Sequence, residues 1–104
     1  MILSNLEEIP NKKIVDHFGV VIGSSVRSKH AGRDMMAGVK NFFGGELKGY
    51  TELLNESREQ SIERMTEQAA QAGANAIVNI RFATSAVAPG AAEVFVYGTA
   101  VLVE

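Results

Sequence analysis

A chain of 104 residues, 46% hydrophobic and 21% charged with a formal net charge of -2, has the balance of one globular domain and no excess of positive charge to hold a nucleic acid. It contains no cysteine, which removes disulfides, thiolate metal ligation, thiol catalysis and redox sensing together. At this length folding takes roughly two-thirds of the unfolded chain's surface out of water, enough for one modest core.

Met1 to Pro10 carries no basic segment followed by an apolar run and a small-residue cleavage site. It therefore does not read as a secretory signal, and the mature protein is expected to start near Met1. The richest apolar run, Val94 to Val103, is broken by Gly98 and Thr99 and falls short of the ~20 residues that span a bilayer. The expectation is a cytoplasmic protein without membrane insertion.

From Ile14 to Val26 the sequence is rich in β-branched residues and short of helix formers, and it reads as strand one. Period two places Ile14, Phe18, Val20 and Ile22 on one face and Val15, His17, Gly19, Val21 and Gly23 on the other. Gly19 and Gly23, with Gly32 beyond, point to bends or to a close approach of backbone. Ala31 to Phe43 places Met35, Met36, Val39, Phe42 and Phe43 on a helical stripe that Gly44-Gly45 would stop, so a short first helix is expected there.

A longer second helix is expected from about Gly49 to Ala72, with Tyr50, Leu54, Ile62, Met65, Ala69 and Ala72 as its apolar stripe. The small Ser57 and Ser61 fill the gap in that stripe and let the helix lie close to whatever it covers. Gly73 ends it, in the left-handed conformation a helix C-cap takes.

The remainder reads as a hairpin: strand two over Ala76 to Ala86, a turn at Val87-Ala88-Pro89-Gly90, and strand three over Glu93 to Val103. In strand two Val78, Ile80 and Phe82 alternate with Asn79, Arg81 and Ala83. Strand three is apolar on both faces, Val94, Val96 and Leu102 against Phe95, Tyr97, Val101 and Val103, and such a strand is covered on both sides. One block of helices covers one face, so a second copy of the chain is the expected cover for the other.

Little in the chain has the pattern of a reactive site. His17 and His30 are the only imidazoles, candidate metal ligands by type, yet their spacing supports no known ligand set. Glu59, Glu63 and Glu67 recur at i, i+4 beside Glu52 and Glu56, a column expected to face water with Arg58 and Arg64 neutralising part of it. Arg27, Lys29, His30, Arg33 and Lys40, offset by Asp34, gather positive charge that could hold an anion or line an interface. Gly44-Gly45 lacks the Lys-Ser or Lys-Thr of a phosphate loop, and Ser24 and Ser25 stand in no Gly-x-Ser-x-Gly pattern. The chain is not expected to be an enzyme, and no cofactor is expected.

Several segments together resemble one family: Met1-Ile2-Leu3-Ser4, Gly32-Arg33-Asp34, Gly44-Gly45 with Tyr50, Gly73-Ala74-Asn75-Ala76-Ile77-Val78, and Gly98-Thr99-Ala100-Val101. In order and over the whole chain they look like the YbjQ-like family of small bacterial proteins, whose label is heavy-metal-binding. The resemblance implies an α+β, dodecin-subunit-like two-layer domain, β-α(-α)-β-β. Its three-stranded antiparallel sheet has the order 1-3-2, and the domain closes into a homo-oligomeric ring, a pentamer on the family pattern. Members commonly carry a glutamate after the glycine that ends strand one and acidic residues along strand two. This chain has Ser24 after Gly23, and Arg81, Ala83 and Ser85 along strand two. Those departures remove hard or borderline metal ligands. The Arg33-Asp34 pair matches the family and is equally explained by helix capping and an ion pair between subunits. The expected role is binding or scaffolding by a non-enzymatic homo-oligomer; the alternatives are a metal-binding or metal-storage module and a small-molecule or anion binder at subunit clefts.

Overall fold

The computed structural model describes residues 1–28, 48–89 and 91–104. In chain order the elements are β1 (Ile2–Leu3), β2 (Ile14–Ser28), α1 (Lys48–Ala72), β3 (Ala76–Ala88) and β4 (Ala91–Val103). The expected first helix, Ala31 to Phe43, its Gly44-Gly45 stop, and Lys29, His30, Arg33, Asp34 and Lys40 lie outside the described residues.

α1 spans 25 residues and agrees with the expected second helix at both ends. Its buried stripe is Leu53, Ser57, Ser61, Met65 and Ala69, a strict i, i+4 row. Leu54 is only half-buried and Ala72 is exposed, which corrects the expected stripe at those two positions.

The helix closes in a Schellman motif, Ala74 N–H to Ala69 O at 3.0 Å and Gly73 N–H to Ala70 O at 3.1 Å. Gly73 has φ +97°, the left-handed conformation expected of it. Gly73→Val is expected to cost on the order of 1 kcal/mol or more, because a β-branched side chain is strained there. Thermal melting checks this, and an unchanged midpoint would place the stop elsewhere.

The sheet is a correction. In place of three antiparallel strands, the described residues form four in mixed orientation, in the order β1-β3-β4-β2. The added β1 runs parallel to β3, with Ile2 opposite Ala76 and Leu3 opposite Ile77. Two residues are too few for a period to show, and the strand exists because Ile2 N–H reaches Asn75 O and Ser4 N–H reaches Ile77 O. Strands one, two and three of the sequence reading are β2, β3 and β4, and β4 stands between the other two. The hairpin is tighter than expected: β3 runs on to Ala88 and β4 begins at Ala91, leaving Pro89 and Gly90 between them.

Two bulges overturn the period-two faces. In β2 the register shifts between His17 and Gly19, so His17 lies opposite Val101 and Gly19 opposite Ala100. His17 therefore shares a face with Val20 and Ile22, not with Val21 and Gly23. In β3 the register shifts between Val78 and Arg81, with Asn79 at φ +59°. Val78 then lies opposite Thr99 and Phe82 opposite Val96, on opposite faces of the sheet. Each inserted residue reverses the alternation beyond it.

The main core lies between α1 and the sheet: Val21, Met65, Ala69, Ile77, Val96 and Ala100. A smaller one, Ile9, Ala76, Val78, Val101 and Val103, lies on the opposite face near the end of β4. Part of the second apolar set of β4 is thus covered by the N-terminal segment of the same chain, where a second copy was expected to cover all of it.

The helix approaches most closely at Gly23. A Cβ there would stand 1.9 Å from the Ser61 carbonyl oxygen and 2.5 Å from the Met65 nitrogen. The close approach of backbone expected at Gly23 is that of the chain's own helix. Ser57 and Ser61, both fully buried, serve the same approach from the helix side. Ser61 Oγ donates to the Ser57 carbonyl at 2.7 Å or the Val94 carbonyl at 2.8 Å, so burying this hydroxyl leaves it satisfied.

Candidate functional site

α1 lies chiefly over β2 and β4 and touches β3 least. Two surfaces stand out among the described residues: a polar seam where α1 reaches the outer edge of β2, and the apolar sheet face turned away from α1, which no described element covers at Val20, Ile22 and Val26.

The seam is built from four helix residues at i, i+4 spacing. Glu56 Oε2 accepts from Arg27 Nη1 at 2.6 Å, and Gln60 Oε1 accepts from Ser25 Oγ at 2.6 Å. Arg64 Nη1 donates to the Ser24 carbonyl at 2.6 Å, and Gln68 Oε1 accepts from the Ile22 N–H at 2.8 Å. Both partners of the Arg27–Glu56 pair are partly exposed. At such exposure an ion pair contributes at most about 1 kcal/mol. This row is absent from the sequence reading. Its signal was present, since Glu56, Gln60, Arg64 and Gln68 each precede a member of the buried row Ser57, Ser61, Met65 and Ala69.

The uncovered surface is the face of the sheet away from α1. Val20 is 66% exposed, Ile22 54% and Val26 59%, all on β2, and beside them stand Tyr97 and the half-buried Phe95 of β4. The Phe95 and Tyr97 rings stack with centroids 6.0 Å apart. A second, largely apolar surface lies toward the other edge of the sheet, between α1 and the β1–β3 side: a groove of about 390 Å³ lined by Leu3, Ile62, Met65, Ile80 and Phe82 together with the polar Ser4, Asn5 and Arg81. Phe82 is 49% exposed there, although it lies opposite Val96 on the helix side.

Of the anion or interface cluster Arg27, Lys29, Arg33 and Asp34, only Arg27 is among the described residues, and its guanidinium is engaged by Glu56. His17 is exposed, with its backbone N–H held by the Asp16 carboxylate at 2.8 Å, while His30 lies outside the described residues. Among the described residues no group of three His, Asp or Glu side chains could hold a metal ion. The glutamate column Glu59, Glu63 and Glu67 is exposed as expected. Arg58 and Arg64, expected beside this column, donate to Asn55 Oδ1 and to the Ser24 carbonyl. No helix among the described residues is long and apolar enough to cross a membrane.

The family model described as "Putative heavy-metal-binding" matches residues 1–104. A UPF0145 protein of Hahella chejuensis is 64% identical over 104 residues, covering 100% of each chain. Another from Acinetobacter baylyi is 59% identical over 96 residues, 92% of this chain and 89% of its own. A third, from Dehalococcoides mccartyi, is 48% identical over 100% of both. Among solved structures, a Pediococcus pentosaceus protein of unknown function has a similar fold, with a TM-score of 0.62 at 18% identity over 100% of this chain and 98% of that one.

Proposed function

This chain belongs to the YbjQ-like family of UPF0145 proteins, and from that premise we propose that it works as a closed homo-oligomer with a binding or scaffolding role and no catalytic activity of its own. The observation that carries the reading is the open sheet face, where Val20, Ile22 and Val26 expose more than half their surface beside Tyr97. Each large apolar side chain left wet forfeits roughly 1.5–3 kcal/mol, a heavy loss against the ~5–15 kcal/mol by which domains are stable. A second copy is the cover that every molecule has at hand.

The two apolar surfaces lie at opposite edges of the sheet and differ in shape, one a flat face and the other a groove at Phe82. Unlike surfaces meeting head to tail generate rings where the rotation closes and open filaments where it does not, whereas like surfaces meeting generate two-fold dimers. That geometry favours a cyclic assembly; the count of five comes from the family pattern. Sedimentation equilibrium at micromolar concentration tests the reading, and a folded chain that stays monomeric would overturn it.

The family's description favours a second reading, a metal module. Among the described residues no group of His, Asp and Glu side chains supplies it, cysteine is absent from the sequence, and the Asp16 carboxylate accepts from the His17 backbone N–H. Calorimetric titration with zinc or copper is expected to show no submicromolar binding. Binding of that strength, abolished by His17→Ala or His30→Ala, would establish the metal module instead.

A further inference from the structure

We infer that α1 closes the outer edge of β2 to strand addition, and that removing the closure lets β2 pair with the β2 of a second copy. β2 is an edge strand of 15 residues. Edge strands of that length are ordinarily blunted by lysine, proline or an inward-pointing charge. Between Ile14 and Ser28 this strand has no lysine and no proline, and its two charged residues, Asp16 and Arg27, stand near its two ends. The stretch Val20-Val21-Ile22 is β-branched throughout, as strand addition favours. By composition it is an adhesive edge, and its deterrent has to come from another element.

The helix supplies it. Successive residues of an edge strand turn their N–H and C=O groups alternately inward and outward. Ile22 and Ser24 are two successive outward positions. The Ile22 N–H is taken by Gln68 Oε1 at 2.8 Å and the Ser24 carbonyl by Arg64 Nη1 at 2.6 Å. An incoming strand would need both groups, and it would meet the side chains that hold them. Gln60 and Glu56 continue the row through Ser25 and Arg27 toward the hairpin end. The close approach at Gly23 brings the helix near enough for one-turn side chains to reach across the edge. The occupant of the opened edge would be a second copy of this chain, because two β2 strands brought antiparallel present the same β-branched stretch to each other and satisfy each other's outward groups.

The test compares Arg64→Ala/Gln68→Ala with the parent, both in a Val20→Asp background that keeps the open face from confusing the count of copies. The inference expects the Ile22 amide to exchange hydrogen at least ~10-fold faster in the double variant, and sedimentation to show a new species of twice the parent mass. Unchanged mass with an unchanged Ile22 rate would overturn it. Circular dichroism reports whether the variant folds, and Gln68→Ala alone is the milder probe. In the unmodified chain, an Ile22 amide exchanging as fast as a free one overturns the inference without any substitution. These rates are compared within one background, so they read the guard whether or not the copies assemble through the open face.

Discussion

Gly23→Ala is expected to lower the unfolding free energy by about 3 kcal/mol, the upper end of what overpacking a core costs. The added methyl would lie 1.9 Å from the Ser61 carbonyl oxygen and 2.5 Å from the Met65 nitrogen, two backbone atoms of α1 that no rotamer change can move. The helix has to lift off β2. Doing so lengthens the Ser61 Oγ contact with Val94 O and draws Gln68 and Arg64 away from Ile22 and Ser24. The neighbouring Ser24→Ala is the control: its side chain is exposed and its carbonyl, not its hydroxyl, receives Arg64. That change should stay within about 0.5 kcal/mol of the parent. Urea denaturation checks both. A Gly23→Ala chain with the parent midpoint would mean that helix and sheet lie farther apart than described.

Val20→Asp is expected to leave the fold intact and abolish assembly, while Val96→Asp is expected to abolish the fold itself. Val20 is 66% exposed on the open face, so within one chain the carboxylate stays in water. Against a second copy it would be buried without a partner, and an unpaired buried charge of that kind is worth several kcal/mol, a thousandfold or more in association. Val96, fully buried under α1, admits no charge at all. Phe95→Asp, one residue away on the open face, should behave like Val20→Asp. Sedimentation equilibrium with circular dichroism separates the outcomes. An assembled Val20→Asp and an assembled Phe95→Asp together would remove the open face from the interface.

Local chemistry was enough for the helix and its stop. The β-rich run that starts at Ala76 leaves Gly73 as the break, and the Schellman bonds with φ +97° are what a glycine at that point permits. The same holds for the hairpin at Pro89-Gly90 and for the two apolar sets of β4, since alternation in an unbulged strand is a property of the strand alone. The small Ser57 and Ser61 foretold a close approach, though not the element approached. Tertiary structure decided everything that depends on a partner in space. β1 exists through two backbone bonds to a strand some seventy residues away, which no two-residue pattern can announce. The bulges at His17/Gly19 and Val78/Arg81 reversed the faces of His17 and Phe82, because one inserted residue shifts a period of two by half. The β2 seam needed the close seating of α1, which Gly23 makes possible, before Arg64 and Gln68 could reach Ser24 and Ile22. Composition alone determined that no thiolate chemistry is available to this protein. Among the described residues, which apolar side chains stay exposed followed from which face of the sheet α1 covers.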